Sequence, residues 1–286
     1  LQGHFTSMSL REPAVAGSFY PRNAPSLRKM IEESCFLHPL GYGKIPALSM
    51  RKKRKIKGLV APHAGYMYSG PIASHAYGAL AEDGFPETFI ILGVNHHGFG
   101  EDVAISTQDF QTPLGVAEID SEIAEKLISL GIPDDKNAHE AEHSIEVHLP
   151  FLQYFKPDIK FVPIAMYRMD IPTAKNTAEV LRKAIDSSGK DVVVIASTDF
   201  SHYVPKEWAY KYDALAIEKI VNCEPDALYT TIKKYGISMC GYGPVMTMLY
   251  TLSLKGKLYK YATSGDVEEM FEVVGYAAIG FEKNAQ

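Results

Sequence analysis

Three loops carry histidines directly after strand-like apolar runs: GLVAPHAGY holds His63, FIILGVNHH holds His96 and His97, and VVVIASTDFSH holds Asp199 and His202. Such loops converge at the carboxyl ends of strands in an open, mostly parallel sheet, so a metal or acid/base site is the inference. His63 follows Pro62, which biases the chain before it towards extended structure, and precedes Ala64 and Gly65, small residues that let a ligand approach. His96 and His97 are adjacent, so their side chains diverge; one faces the site and the other supports it or meets solvent. His202 is read as a general acid/base or outer ligand with Asp199 as its partner, against the alternative that Asp199 or Ser201 simply caps the next turn. A fourth segment, MCGYGPVMTMLY, sets Cys240 at an expected helix start, where the positive end of the dipole favours a thiolate. The competing reading of Cys240 is an ordinary buried thiol. Two His and one Cys would accept iron, copper or zinc.

The segment AEHSIEVHLP does not fit a zinc-protease helix, which needs histidines one helical turn apart on one face. His143 and His148 lie about 500° apart on a helix with ~3.6 residues per turn. Glu142 and Glu146 would share a face, either lining the pocket beside the histidines or forming the solvated side of an amphipathic helix. Glu142, His143, His97 and Tyr242 are therefore candidates for the pocket wall or the layer behind it.

These residues need a scaffold of alternating elements. The pattern predicts helices over Ser26 to Phe36, Pro71 to Ala81, Asp120 to Leu130, Ile145 to Phe155 (interrupted by Pro150), Thr173 to Ser187, Lys206 to Asn222, Glu224 to Tyr235 and Gly243 to Lys255. Strands are expected at Ile56 to Ala61, Thr88 to Val94, Lys160 to Met166, Asp191 to Ala196, Leu258 to Thr263 and Val273 to Phe281, with an extended region from Val103 to Ile119. Continuous apolar runs such as VVVIA and FIILGV require a sheet covered on both faces. The expected fold is α/β, a three-layer α/β/α arrangement around a central mixed, largely parallel sheet, with residues 8–286 as a single domain.

The 286 residues, 46% hydrophobic and 22% charged, suffice for one full core. A net charge of -5 argues against nucleic acid as the main partner. The basic run Arg51, Lys52, Lys53, Arg54, Lys55 and Lys57 is read as a solvated approach to the first central strand. Cys35, Cys223 and Cys240 form no even framework, which suits a reducing cytoplasmic setting, and no apolar stretch is long enough to span a bilayer. Residues 1–7, ahead of Met8, read as a leader, so His4 is set aside.

Seven blocks in this order, AGSFYP, APHAGYMYSG, LGVNHHG, EHSIEVHLPFLQ, STDFSHY, CGYGP and VGYAA, resemble the Memo (mediator of cell motility) family, which is similar to class III extradiol dioxygenases of the LigB type. The resemblance spans about Glu12 to Phe281. It implies an α/β/α fold with one site, in which the family's metal ligands correspond to His63, His96 and Cys240 and its acidic and imidazole positions to Asp199 and His202. By likeness to the dioxygenases, His202 stands where a catalytic acid/base would. Those enzymes bind ferrous iron through two His and a carboxylate; a Cys240 thiolate would alter charge donation and be open to oxidation. Animal members resemble phosphotyrosine-peptide binders linked to iron or copper redox, but this chain has Val94-Asn95 where they carry Pro-Ser and Tyr242-Gly243 where they carry Arg-His.

The leading expectation is a metal-dependent redox protein, iron or copper on His63, His96 and Cys240, with His202 and Asp199 moving protons during oxidation of a small substrate. No nucleotide cofactor, nucleic-acid partner or membrane is expected, and the sequence is silent on oligomeric state. The second expectation is a non-catalytic module whose pocket takes a peptide or an anionic or aromatic group. A zinc-water hydrolase is the third.

Overall fold

The structure, a computed structural model, describes residues 10–51 and 53–283. The leader with His4, and Lys52 of the basic run, lie outside the described residues. The chain opens with α1 (Ala24–Lys29), capped by the Asn23 side chain, which accepts from the Ser26 N–H at 2.9 Å, and runs straight into a π-helical stretch, Met30–Phe36. Then come β1 (Ile56–Ala61), α2 (Tyr66–Asp83), β2 (Thr88–Val94), β3 (Val103–Ile105), β4 (Phe110–Thr112) and β5 (Gly115–Ile119). The middle of the chain holds α3 (Ser121–Ser129), α4 (His148–Phe155), β6 (Lys160–Met166), α5 (Ile171–Ser188) and β7 (Val192–Ser197). It closes with β8 (His202–Pro205), α6 (Lys206–Val221), α7 (Pro225–Tyr235), α8 (Tyr242–Leu252), β9 (Gly256–Thr263), α9 (Ser264–Val267) and β10 (Glu272–Glu282).

The strands form one sheet in the order β4-β5-β6-β2-β7-β1-β10-β8, with β3 on β6 and β9 on β10. The central five, β5, β6, β2, β7 and β1, are parallel, and β10 joins antiparallel to β1. Their apolar runs are buried on both faces, by α2 and its neighbours on one side and by α3, α5 and α8 on the other, giving the three-layer α/β/α fold. Register matters for function. Ala61 pairs with Ser197 and Leu92 with Ala196, so the carboxyl ends of β1, β7 and β2 stop level and side by side. The loops holding His63, Asp199 and His96 therefore emerge together.

Some expected boundaries move. Proline favours a first turn, which suggests a helix start at Pro71. The turn is instead fixed earlier, at Tyr66, whose N–H donates to the Phe19 carbonyl at 2.8 Å. The helix expected from Ile145 begins only at His148, with Pro150 in its first turn, where its missing N–H is harmless. Residues 139–147 form a run of turns, so Glu142 and Glu146 do not share a helical face. The region from Val103 to Ile119 divides into β3 and the β4/β5 hairpin, and β8, unforeseen, pairs with β10. Arg54 is not solvated: it is buried, paired with Asp83 at 3.6 Å and with Asp191.

Candidate functional site

His63 leaves the end of β1 with its backbone N–H donating to Asp199 Oδ1 at 2.8 Å, a bond that ties the β1 and β7 loops together. Its ring is buried, with Nδ1 2.8 Å from Ser197 Oγ and Nε2 turned to the pocket, 3.3 Å from Cys240 Sγ and 3.8 Å from Asp199 Oδ2. His96, after β2, is anchored by Glu142, which accepts the His96 backbone N–H at 2.7 Å and lies 2.9 and 3.0 Å from its Nδ1. His143 stacks on His96 with centroids 4.6 Å apart, while Phe19 packs against His143 at the same separation. Ligand atoms of His63, His96 and His143 all lie within 4.8 Å of one another. That spacing fits a single ion after small ring rotations, given metal–nitrogen bonds of about 2.0–2.1 Å.

The other sequence candidates divide. Cys240, just ahead of α8, stands against His63 and receives the Asp199 N–H at 3.4 Å. Asp199 and His202 both line the pocket, but His202 Nδ1 faces the Ser238 carbonyl at 2.6 Å, and Asp199 is engaged by the backbone of His63. His97 points away, its Nε2 3.0 Å from the Ala141 carbonyl and its ring stacked on Phe99. Tyr242 sits on the outer side of α8, its hydroxyl 3.3 Å from Lys233 Nζ.

Burial dominates the electrostatics. It pushes His63 well below the ordinary imidazole range, helped by His143 and His96, and lowers His143 to about 4, with Glu142 opposing. Burial alone would raise Glu142, but hydrogen bonding and charge from His96, then His143, outweigh it and hold the carboxyl at about 2. Asp199 is raised by burial, against the His63 backbone N–H and His202. The Cys240 thiol is raised too, first by burial and then by Asp199. The cluster thus sets the depressed His63 and His143 imidazoles beside one ionised carboxylate, Glu142, behind His96.

Above these groups is a cavity of about 480 Å³ whose walls include Phe19, Tyr68, Tyr203, Met270 and Tyr276. No Lys or Arg lines it among the described residues. Sequence reasoning misses His143 as an equal member of the imidazole cluster, because AEHSIEVHLP reads as helical; in a turn, His143 and Glu142 can approach His96 together. It also misses Ser197 and His148, which touch behind the site at 2.7 Å. A serine closing an apolar strand carries no motif.

The model of the Memo-like protein family matches residues 11–280. A MEMO1 family protein of Methanothermobacter thermautotrophicus is 46% identical over 276 residues, covering 94% of this chain and 99% of its own. One from Methanopyrus kandleri is 46% identical over 282 residues, covering 96% and 99%. Among solved structures, an uncharacterised protein of Escherichia coli K12 superposes with a TM-score of 0.57 at 13% identity, covering 79% of this chain and 99% of its own, a likeness of fold alone. With nearly its whole length aligned to such relatives, this chain belongs to the Memo family.

Proposed function

We propose that this protein is a metal-dependent redox protein holding one iron or copper ion at the level ends of β1, β2 and β7, beneath an aromatic pocket that takes a small substrate. The convergence of His63, His96 and His143 to within 4.8 Å carries this reading. His63 and His96 are the common ligands. The third position falls to His143, which the geometry brings into the cluster, or to the Cys240 sulfur, 3.3 Å from His63 and favoured by the family resemblance. An ion there would supply Lewis acidity or electron transfer to a bound substrate. Around it the chain's own groups have defined work: Glu142 orients His96, the aromatic walls exclude water and seat a planar group, and the buried Asp199 and the more exposed His202 in the pocket lining can hold or pass a proton.

The cationless lining bears on the alternative, a binding module for a peptide or an anionic or aromatic group. It favours a neutral aromatic ligand over a phosphorylated one, which would need Arg or Lys. The deciding measurement is metal analysis of anaerobically purified protein beside His63→Ala, His96→Ala, His143→Ala and Cys240→Ala. Near-stoichiometric iron or copper in the wild type, lost in the first two variants, supports the reading, and whichever of the last two also loses metal names the third ligand. Zinc in their place would turn attention to a zinc-activated water. A wild type that is empty and cannot be reconstituted would leave the binding module as the better account.

A further inference from the structure

Behind His63 runs a fully buried polar chain that the metal reading does not use. Ser197 Oγ, at the end of β7, lies 2.8 Å from His63 Nδ1, 2.7 Å from His148 Nε2 and 2.7 Å from the Ser144 carbonyl oxygen. His148 Nδ1 in turn meets the Tyr77 hydroxyl on α2. Serine has one O–H to give and two lone pairs to receive with. A carbonyl can only accept, so the Ser197 proton goes to Ser144, and both imidazoles must present an N–H to the Ser197 oxygen. The Ser144 carbonyl is itself held in place, because the Ser144 side chain accepts the Val94 N–H at 2.9 Å and lies 3.1 Å from the Val94 carbonyl. The direction of the Ser197 hydroxyl is thus set by the end of β2.

From this count of donors and acceptors we infer that Ser197 is a positioning residue that fixes His63 as the Nδ1–H tautomer and so leaves the Nε2 lone pair aimed into the pocket. The same count makes His148 the Nε2–H tautomer, with Nδ1 accepting from Tyr77. Both rings are buried, at 2% and 1% exposure, so neither side of the Ser197 contact is open to solvent. A thiol on Cys240 can then donate to His63 Nε2 across 3.3 Å when no ion is present. Free imidazole favours the opposite tautomer slightly in water; here the backbone of β2, through Ser144 and Ser197, imposes the one that a ligand needs.

The test uses the metal-free protein labelled with 15N-histidine and long-range 1H–15N correlation spectra, with His63 assigned by its loss in a His63→Gln sample. The expected wild-type spectrum shows His63 protonated at Nδ1 and bare at Nε2. Ser197→Ala should convert it to a tautomer mixture or to Nε2–H and weaken iron or copper binding roughly 10- to 100-fold. Ser197→Thr, which keeps the hydroxyl, should restore both. A wild-type His63 protonated at Nε2, or a Ser197→Ala protein with an unchanged tautomer, would overturn the inference. The affinity arm rests on His63 being a metal ligand, whereas the spectra do not: if the wild type bound no metal, the metal reading would fail and the tautomer would still be decided. Should Ser197→Ala not fold, the wild-type spectrum alone decides between the two tautomers.

Discussion

Glu142 acts on the site without needing to touch an ion. One oxygen takes both the His96 backbone N–H and its ring nitrogen, and the other takes the ring nitrogen at 2.9 Å and the Ser144 N–H at 2.8 Å. Every contact is a donor meeting a carboxylate. In Glu142→Gln one of those oxygens becomes an NH₂ that confronts a donor, and the charge that holds His96 is gone. The expected cost is about 2–3 kcal/mol in urea unfolding, since charge-assisted bonds are lost in a buried setting. Metal affinity measured against a competing chelator should fall roughly 10- to 100-fold, with His96 no longer held in one orientation. Unchanged unfolding and unchanged affinity together would show that Glu142 is idle.

The turns at residues 139–147 face two ways, and Glu146 looks away from the site. It pairs with Arg11 at 2.6 Å and accepts from the N–H groups of Ala14 and Val15 and the hydroxyl of Tyr20, all buried or half-buried. Arg11 also donates to the carbonyls of His139 and Glu142. This latch brings Phe19 against His143. Glu146→Gln leaves the Arg11 guanidinium buried without its countercharge, a change expected to cost about 3–5 kcal/mol. Hydrogen exchange should then quicken at residues 14–20 well before it does in β7; protection equal in both places would mean the segment is held by something else. Periodicity makes α5, α6 and α7 legible, because their burial alternates at helical spacing, and apolar runs make β2 and β7 legible. The same runs locate the three histidine loops that follow them. What local pattern does not show is a segment organised by a buried ion pair. AGSFYP and AEHSIEVHLP stand more than a hundred residues apart, joined through Arg11 and Glu146, whose separation in sequence is 135. The placement of His143 depends on that long-range closure, and no local spacing encodes it.

Three buried histidines, His63, His139 and His148, and the half-buried His143 give the protein a common response to acid. Burial lowers His139 and His143 to about 4 and His148 to about 3, and takes His63 well down as well. The unfolded chain protonates each ring near its ordinary value of about 6.5, while the folded chain refuses the proton until far lower pH. Unfolding therefore takes up protons in between, and stability that is fully present above about pH 7 is lost as pH falls from about 6.5 towards 4. From pH 7.5 to pH 5 each of the three rings with a defined value contributes a loss of about 2 kcal/mol, roughly 6 kcal/mol together, a large part of the ~5–15 kcal/mol that holds a domain folded. Glu142 acts in the same direction lower down, since its depressed carboxyl stabilises the fold above its ordinary pKa and loses that contribution as pH falls towards 2. Urea midpoints at pH 7.5, 6.0 and 5.0 should fall with increasing steepness, and a flat series would show that these rings are protonated in the native state. Saturating iron or copper should raise the midpoint at each of these pH values and lose that effect only as pH nears 4, where His143 takes up its proton in the native state and an ion competes for the same nitrogen. His139, whose Nε2 faces the Ala104 carbonyl 2.8 Å away and takes no part in the cluster, separates the two effects. In His139→Gln the acid slope should lessen by about one proton's worth, roughly 1.4 kcal/mol per pH unit, while the stabilisation by metal stays as it was.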